Sequence, residues 1–333
     1  MNRLSFIQLY PTLRCNQSCS FCFNQNISRS ASYKDMSEKD AHALIEMLIK
    51  EGIREIDILG GEPMLLAWMK DFVEYVTGLD ITINISTNGS LPDIVSQYDE
   101  IQTPLMNIGF SIHGFSQTHN TLTMSDNFSK ALTCIKKTIA AGKNPIVKST
   151  LNQKNKNEIY DFVLYLRDIG IKRYYLLHED IIGREQYSDC FSFPEFYEFY
   201  SELKEKLKGT LDVGFVAASG FYKYGPRTGI RCNAGITKIA LLPDGSAFPC
   251  NLFLGFDDFR LGNIYQDGIE SILKNPILER FKKYDGNRCT SVSCRHYSIC
   301  SGGCPAHIFS VYGSLDAADP RCERNSQKET RRI

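Results

Sequence analysis

Short apolar runs alternate with longer amphipathic runs from Leu4 to about Ile182. Leu4–Tyr10 reads as a strand. Ser37 then reads as a helix N-cap, with Asp40 three residues on. Ala41, Leu44, Ile45 and Leu48 fall on one helical face, which Gly52 ends. Ile56–Leu59, Ile81–Ile85, Met106–Ile112, Pro145–Thr150 and Tyr174–Leu177 repeat the strand pattern. Between them Phe128, Ala131, Leu132, Ile135 and Ile139 line one helix, closed by Gly142. Phe162, Leu164, Leu166 and Ile169 line another, closed by Gly170. Six strand–helix units in series predict an α/β fold with a parallel sheet. A closed eight-unit barrel needs more chain, so the expectation is a partial, open (β/α)6 TIM-like barrel.

Ser192–Lys208 predicts a further helix. Beyond it the chain is rich in Gly, Pro and Cys, and the next long helix is predicted over Ile269–Tyr284. The expected division is a barrel over residues 1–208 and a cysteine-rich domain over residues 209–333.

Composition narrows the class. The 333 residues carry 38 basic and 38 acidic side chains. Net neutrality argues against a nucleic acid or an anionic membrane as a bulk electrostatic partner. The start, Met1-Asn2-Arg3-Leu4-Ser5-Phe6, lacks the apolar stretch of a secretory signal, and no apolar run is long enough to span a bilayer. A soluble, cytoplasmic protein is expected. Disulfides do not persist there, so twelve cysteines point to metal. Three lie at 15–22 and seven after residue 230, with Cys134 and Cys190 between. Cys134 falls on a helix between Ala131 and Ile135 and reads as packed.

The first group is Cys15-Asn16-Gln17-Ser18-Cys19-Ser20-Phe21-Cys22. Three thiolates are one short of the set that holds an electron-carrying 4Fe–4S cluster, so one iron is left open to a small molecule. A zinc knuckle would use the same thiols. The spacing, with an aromatic before the last cysteine, resembles the radical S-adenosylmethionine (radical SAM) family. The resemblance implies an iron that chelates SAM through its methionine amino and carboxylate groups. It also implies reductive cleavage to a 5′-deoxyadenosyl radical, and abstraction of a hydrogen atom from an unactivated C–H bond.

Gly60-Gly61-Glu62-Pro63 follows the second strand and resembles the family motif whose backbone and Glu hold SAM's amino group. Glycines there let backbone carbonyls come close to an ammonium. Thr87-Asn88-Gly89 ends strand three. Ser111-Ile112-His113-Gly114 ends strand four, where relatives usually show Ser-Ile/Leu-Asp-Gly. Ser111 would then meet a ribose hydroxyl, and His113 departs from the pattern. Asn152 and Asn155 follow strand five in a stretch that resembles the nucleoside-binding segment. Gly183-Arg184 follows strand six, where the family's Arg lies near SAM's carboxylate. Ordinary surface loops use these residue types too.

The second group is Cys232, Cys250, Cys289, Cys294, Cys300, Cys304 and Cys322. Its spacing resembles the SPASM extension of radical SAM enzymes, which holds two auxiliary 4Fe–4S clusters. The resemblance assigns Cys232, Cys250 and Cys304 to the first cluster, and Cys289, Cys294, Cys300 and Cys322 to the second. Pro243-Asp244-Gly245-Ser246 reads as the turn of a hairpin that brings Cys232 and Cys250 together. Two departures stand out. Four residues separate Cys289 from Cys294 where relatives place two, and the run 224–230 holds no cysteine. Cys190 is then a candidate for the missing ligand.

SPASM relatives mostly modify peptides or proteins, so the expected activity is peptide maturation by crosslinking, epimerisation or oxidation. The alternatives are a sulfatase-type formylglycine maturase, a tetrapyrrole or heme-pathway enzyme, and a non-catalytic iron–sulfur sensor. Fourteen residues before Cys15 leave no room for an N-terminal leader-binding domain, so the expectation is a separate leader-binding protein or no leader docking at all. A flavodoxin or ferredoxin would donate electrons. His178 and Glu179, just after strand six, are candidates for a catalytic base, ahead of Tyr222 and Tyr224.

Overall fold

Six parallel strands form the centre of the molecule, as the apolar runs predict. The computed structural model describes residues 4–24, 27, 33–182, 189–216, 232–282 and 302–322. Strands β1 (Phe6–Leu9), β2 (Glu55–Ile58), β3 (Thr82–Thr87), β4 (Met106–Ser111), β5 (Ile146–Leu151) and β6 (Arg173–His178) lie side by side in chain order. Each pairs in parallel with the next. The connections carry helices α1 (Glu38–Lys50), α2 (Met69–Thr77), α3 (Pro92–Tyr98), α4 (Ser116–Thr123), α5 (Phe128–Ala140) and α6 (Ile159–Asp168). After β6 come α7 (Phe193–Lys206) and β7 (Asp212–Val216).

Local chemistry fixes the helix starts. Ser37 caps α1 by accepting the Asp40 amide at 3.1 Å. Ser192 and Glu195 form a reciprocal capping box at α7. Caps of this kind contribute about 1 kcal/mol each.

The apolar strand positions Ile56, Ile58, Ile83, Ile85 and Phe110 pack against Leu44, Phe72, Ile135 and Phe162 of the helices. The alternate positions point the other way and are polar. Asn84 donates to Asp57 Oδ1 at 2.8 Å, Asn107 to Asn84 Oδ1 at 3.0 Å, and Arg173 to Asn107 Oδ1 at 3.2 Å. A parallel sheet covered on both faces reads apolar throughout. Here one face is built for water, which is the interior of an open barrel.

The expected division near residue 208 runs through one sheet. β7 extends it beyond β6, and β8 (Lys238–Leu241) pairs in parallel with β1. β9 (Ser246–Phe248) and β10 (Gly262–Asn263) follow antiparallel, giving ten strands in the order β10-β9-β8-β1-β2-β3-β4-β5-β6-β7. An open parallel sheet leaves two free edges, and the later segment supplies strands to both.

The helix expected over 269–284 is corrected. Helix α8 spans Ile264–Leu273, with Gly268 at φ +71° inside it, and a separate 3-10 turn begins at Pro276. Proline has no N–H to continue the ladder. A second core joins Tyr10 and Leu13 to Phe248, Phe253, Phe259 and Phe281, and it contains Cys232, Cys250 and Cys304. Among the described residues no helix is long and apolar enough to cross a membrane.

Candidate functional site

The N-terminal thiol loop leaves the C-terminal end of β1, where parallel sheets place their sites. Two neighbours hold it. Thr12 Oγ1 donates to Asp35 Oδ1 at 2.6 Å, and Arg14 pairs with Asp35 through its guanidinium. The Gly-Gly-Glu-Pro turn then runs alongside: Gly61 N donates to Thr12 O at 2.9 Å and Glu62 N to Arg14 O at 2.8 Å. A Cβ at Gly60 would overlap the Thr12 carbonyl and one at Gly61 the Arg14 carbonyl, so both positions require glycine.

Glu62 is 1% exposed. Its Oε1 accepts from Thr87 Oγ1 at 2.8 Å and from Met64 N at 3.1 Å, and its Oε2 accepts from Asn88 N at 2.7 Å. Burial raises its pKa to about 7, against the pull of these donors. The carboxylate thus anchors the Thr87-Asn88-Gly89 turn. Asn88 in turn donates to Cys15 Sγ at 3.8 Å and to Asn16 Oδ1 at 2.9 Å.

Cys15 is exposed, and Cys19 and Cys22 are half-buried. The three lie close enough to act on one another's charge. Burial, then Cys22 and Cys15, push the Cys19 thiol up to about 12. Burial raises the Cys15 thiol as well, and thiols that resist ionisation become thiolates only when a cation compensates them. Three sulfurs, an open side and a donor already on Cys15 fit a cubane with one free iron. Among the described residues no three His, Cys, Asp or Glu side chains converge as they would on a single ion.

His113, which departs from the family pattern, supports this loop from behind. Its ring meets Phe21, between Cys19 and Cys22, edge-on at 4.6 Å. Thr150 N donates to His113 Nδ1, and His113 N donates to His119 Nδ1, each at 3.1 Å. Both rings are therefore neutral, with their protons on Nε2. Burial lowers His113 well below the usual range and His119 to about 4. Ser20 N donates to Leu122 O of α4 at 2.9 Å. Asn155 donates to the carbonyls of His113 and Thr150, at 2.9 and 2.8 Å, and its Oδ1 accepts from Asn152 N at 2.9 Å. Asn155 pins two loops, while Ser111 remains half-exposed, opposite Lys148 in register.

The sequence reading missed His119, Asp35 and Thr12. Thr12 and Asp35 are 23 residues apart, and His119 lies on a short polar helix with no apolar period.

In the C-terminal segment Cys232, Cys250 and Cys304 come together inside the aromatic core and act on one another's charge. Burial pushes Cys250 up to about 11. The β8–β9 hairpin forms at Gly245 as expected. Cys304 N donates to Asp319 Oδ2 at 2.8 Å, and Asp319 pairs with Arg321 at 3.0 Å. Cys322 is half-buried just beyond. Cys289, Cys294, Cys300, Arg184, Tyr222 and Tyr224 lie outside the described residues.

His178 and Glu179 are buried beside Arg321. His178 Nε2 donates to Phe191 O at 2.8 Å, its Nδ1 accepts from Arg321 at 3.4 Å, and its ring stacks on Phe196. Burial, then Arg321, lower its pKa to about 3. Next to it Asp180 accepts from His307 at 2.8 Å. The structure gives this cluster a joining role between the end of β6 and the C-terminal tail. Cys190 sits here too, its thiol donating to the carbonyls of Glu179 and Phe191 at 3.5 and 3.4 Å.

The sequence pattern of the radical SAM superfamily matches residues 9–165, and that of the SPASM iron–sulfur cluster-binding domain matches residues 232–305. The mycofactocin maturase MftC of Mycobacterium tuberculosis is 24% identical over 320 residues, covering 93% of this chain and 81% of that protein. The antilisterial bacteriocin subtilosin biosynthesis protein AlbA of Bacillus subtilis is 24% identical over 309 residues, covering 88% and 65%. The crystal structure of Streptococcus suis SuiB bound to its precursor peptide SuiA shares the fold, with a TM-score of 0.77 at 17% identity, over 97% of this chain and 76% of that one.

Proposed function

The chain belongs to the radical SAM superfamily and carries a SPASM domain, and from that premise we propose that it is a maturase that acts on a peptide. It is an enzyme whose cofactors are SAM and 4Fe–4S clusters. When bound and reduced, the cluster supplies the electron that converts SAM into a hydrogen-abstracting radical. One observation carries the peptide reading. Nearly the whole chain matches a maturase and a bacteriocin biosynthesis protein, and shares its fold with an enzyme solved on its precursor peptide.

In this reading Cys15, Cys19 and Cys22 hold the first cluster, and Asn88 donates to the Cys15 sulfur. Gly60, Gly61, Glu62 and Pro63 form a fixed wall beside the open iron, and Thr87 and Asn88 are locked to that wall through Glu62. Ser111 ends β4 and Asn152 follows β5, toward the nucleoside, with Arg184 near the carboxylate. The polar inner face of the sheet lets a hydrated peptide segment approach. Cys232, Cys250 and Cys304 hold one auxiliary cluster; Cys289, Cys294, Cys300 and Cys322 hold the other. Residues 1–208 and 209–333 are the corresponding domains, joined by the shared sheet. Electron supply by a flavodoxin or ferredoxin, a separate leader-binding protein, and a cytoplasmic site where thiols stay reduced complete the proposal.

Anaerobically reconstituted protein with SAM and dithionite tests the reading. 5′-Deoxyadenosine should form, and a short peptide encoded beside the gene should change in mass or stereochemistry. Absence of 5′-deoxyadenosine under reducing conditions overturns the catalytic reading. Turnover on a sulfatase or a tetrapyrrole, with the peptide untouched, overturns the substrate.

A further inference from the structure

The ammonium of Lys148 stands on the inner face of the barrel without an ionic partner. Along β5, Val147 and Ser149 are buried on the helix side, while Ile146 and Lys148 are half-buried on the inner side. Lys148 lies across the neighbouring strand β4 and reaches β3, where its Nζ donates to Ser86 Oγ at 2.9 Å. Gly109 makes the crossing possible, since a Cβ there would come within 2.8 Å of the Lys148 Cε. Tyr175, opposite Lys148 in register on β6, leans the other way, over Gly214 of β7. The two side chains thus part over the strip between β5 and β6. An ammonium carries three donors, and one is used here. Among the described residues Lys148 makes no ion pair. Asp57 is the acidic group that acts on it, and that carboxylate already accepts from Asn84 at 2.8 Å. A charge drawn out of water is costly until a counter-charge meets it.

The position is close to the radical site. Ser86 directly precedes Thr87 and Asn88, which Glu62 holds beside Cys15. It is also deeper than that site. The open iron takes SAM's own carboxylate in this family, beyond the strand ends, whereas Lys148 lies three residues before the end of β5. We propose that Lys148 receives a carboxylate of the peptide substrate and so sets which residue lies beneath the open iron. Ammonium and carboxylate make a charge-assisted hydrogen bond, stronger than a neutral one. An Asp or Glu side chain and a C-terminus present the same two oxygens. No bond is made or broken at Lys148, which acts by binding alone. The competing account is a lysine whose remaining donors are met by water.

The inference rests on the peptide reading above, and the test separates the two. Reconstituted wild type and Lys148→Met are assayed on the peptide encoded beside the gene. Two neutralised forms are run alongside: its C-terminal amide, and a version with Asp and Glu replaced by Asn and Gln. Wild type that cleaves SAM but leaves the peptide unchanged refutes the peptide reading, and the inference falls with it. With the peptide processed, Lys148→Met should raise its KM about tenfold to hundredfold, the worth of a charged hydrogen bond. Lys148→Arg should recover part of that loss. One neutralised peptide should show the same loss on wild type and no further loss on Lys148→Met, which identifies the source of the carboxylate. SAM affinity, measured by equilibrium binding, should keep its wild-type value. Should Lys148→Met not fold, Gly109→Ala keeps the charge but displaces the lysine chain, and it should raise KM in the same direction. An unchanged KM, an equal effect on every peptide form, or SAM affinity that falls with peptide affinity overturns the assignment.

Discussion

The two thiol sets sit in opposite surroundings. Cys15 is exposed and its two partners are half-exposed, on a loop braced by Asp35, the Gly-Gly-Glu-Pro turn and α4. Cys232, Cys250 and Cys304 are buried among Phe248, Phe253, Phe259 and Phe281. On the proposed cluster assignment, the difference follows from what must reach the metal. A cluster that binds a small molecule needs an open side. A cluster that only passes electrons is better sealed, because water and oxygen then stay out. The first site is rigid through backbone and polar bonds, the second through packing. They should therefore fail in different ways.

The largest effect should come from replacing Cys15, Cys19 and Cys22 together by alanine. The loop carries few apolar contacts, so the fold should survive. Iron should drop by about four per chain and 5′-deoxyadenosine should vanish. The C-terminal clusters should remain visible by absorbance. Loss of all iron in this variant would show that the two sites are not separable.

Arg321→Ala attacks the other side. Arg321 and Asp319 are each 2% exposed, and Asp319 also holds the Cys304 amide. Removing one partner of a buried ion pair costs ~3–5 kcal/mol, because the other charge is left stranded. Thermal unfolding should come earlier, and auxiliary iron should be lost before the N-terminal cluster. Equal loss at both sites would break the contrast.

The sequence made one of these regions far more readable than the other. The thiol spacing, the Gly-Gly-Glu-Pro turn, the strands and the Ser37 cap are local patterns, and each lies where the pattern predicts. What braces them is not local. Helix α4 reads Ser-Gln-Thr-His-Asn-Thr-Leu-Thr, with no apolar stripe, yet it carries His119 and the Leu122 carbonyl that hold the thiol loop. Asp319 and Arg321 lie in a tail with no apolar period, and the contact of Arg321 with His178 joins positions 143 residues apart. The same distance hid the polar ladder inside the barrel, since each of its members lies on a different strand.

Acid should weaken both regions. His113, His119 and His178 are buried neutral, with pKa values below the ordinary 6.5. Below pH 6.5 the unfolded chain takes up protons that the folded chain refuses, until about pH 4 for His119 and about 3 for His178. Stability therefore falls as pH falls through that window, by up to about 1.4 kcal/mol per pH unit for each group. Between pH 7 and 5 these rings should contribute about two protons to the slope of urea unfolding, offset in part by Glu62, which burial raises to about 7 and which takes up a proton in the folded chain over the same range. Replacing His119 by Asn should lower the slope; an unchanged slope would mean that this ring is not buried neutral.

The smallest effect belongs to Ser192→Ala, and it tests whether site loss is merely fold loss. Ser192 caps α7 through the Glu195 amide, and Glu195 returns a bond to the Ser192 amide. The next residue, Phe193, donates its amide to Arg321 O at 2.9 Å, so the helix start touches the tail that orders Cys304. Removing the cap hydroxyl should cost about 1 kcal/mol of global stability. It removes no thiol, no charge and no core volume. If the buried cluster site is held by its own packing and by Asp319, iron content should stay at the wild-type value while the urea midpoint falls. Should auxiliary iron decline in step with that small loss, the C-terminal site would be only as firm as the chain around it. The contrast between an open, bonded site and a sealed, packed one would then reduce to a difference in exposure.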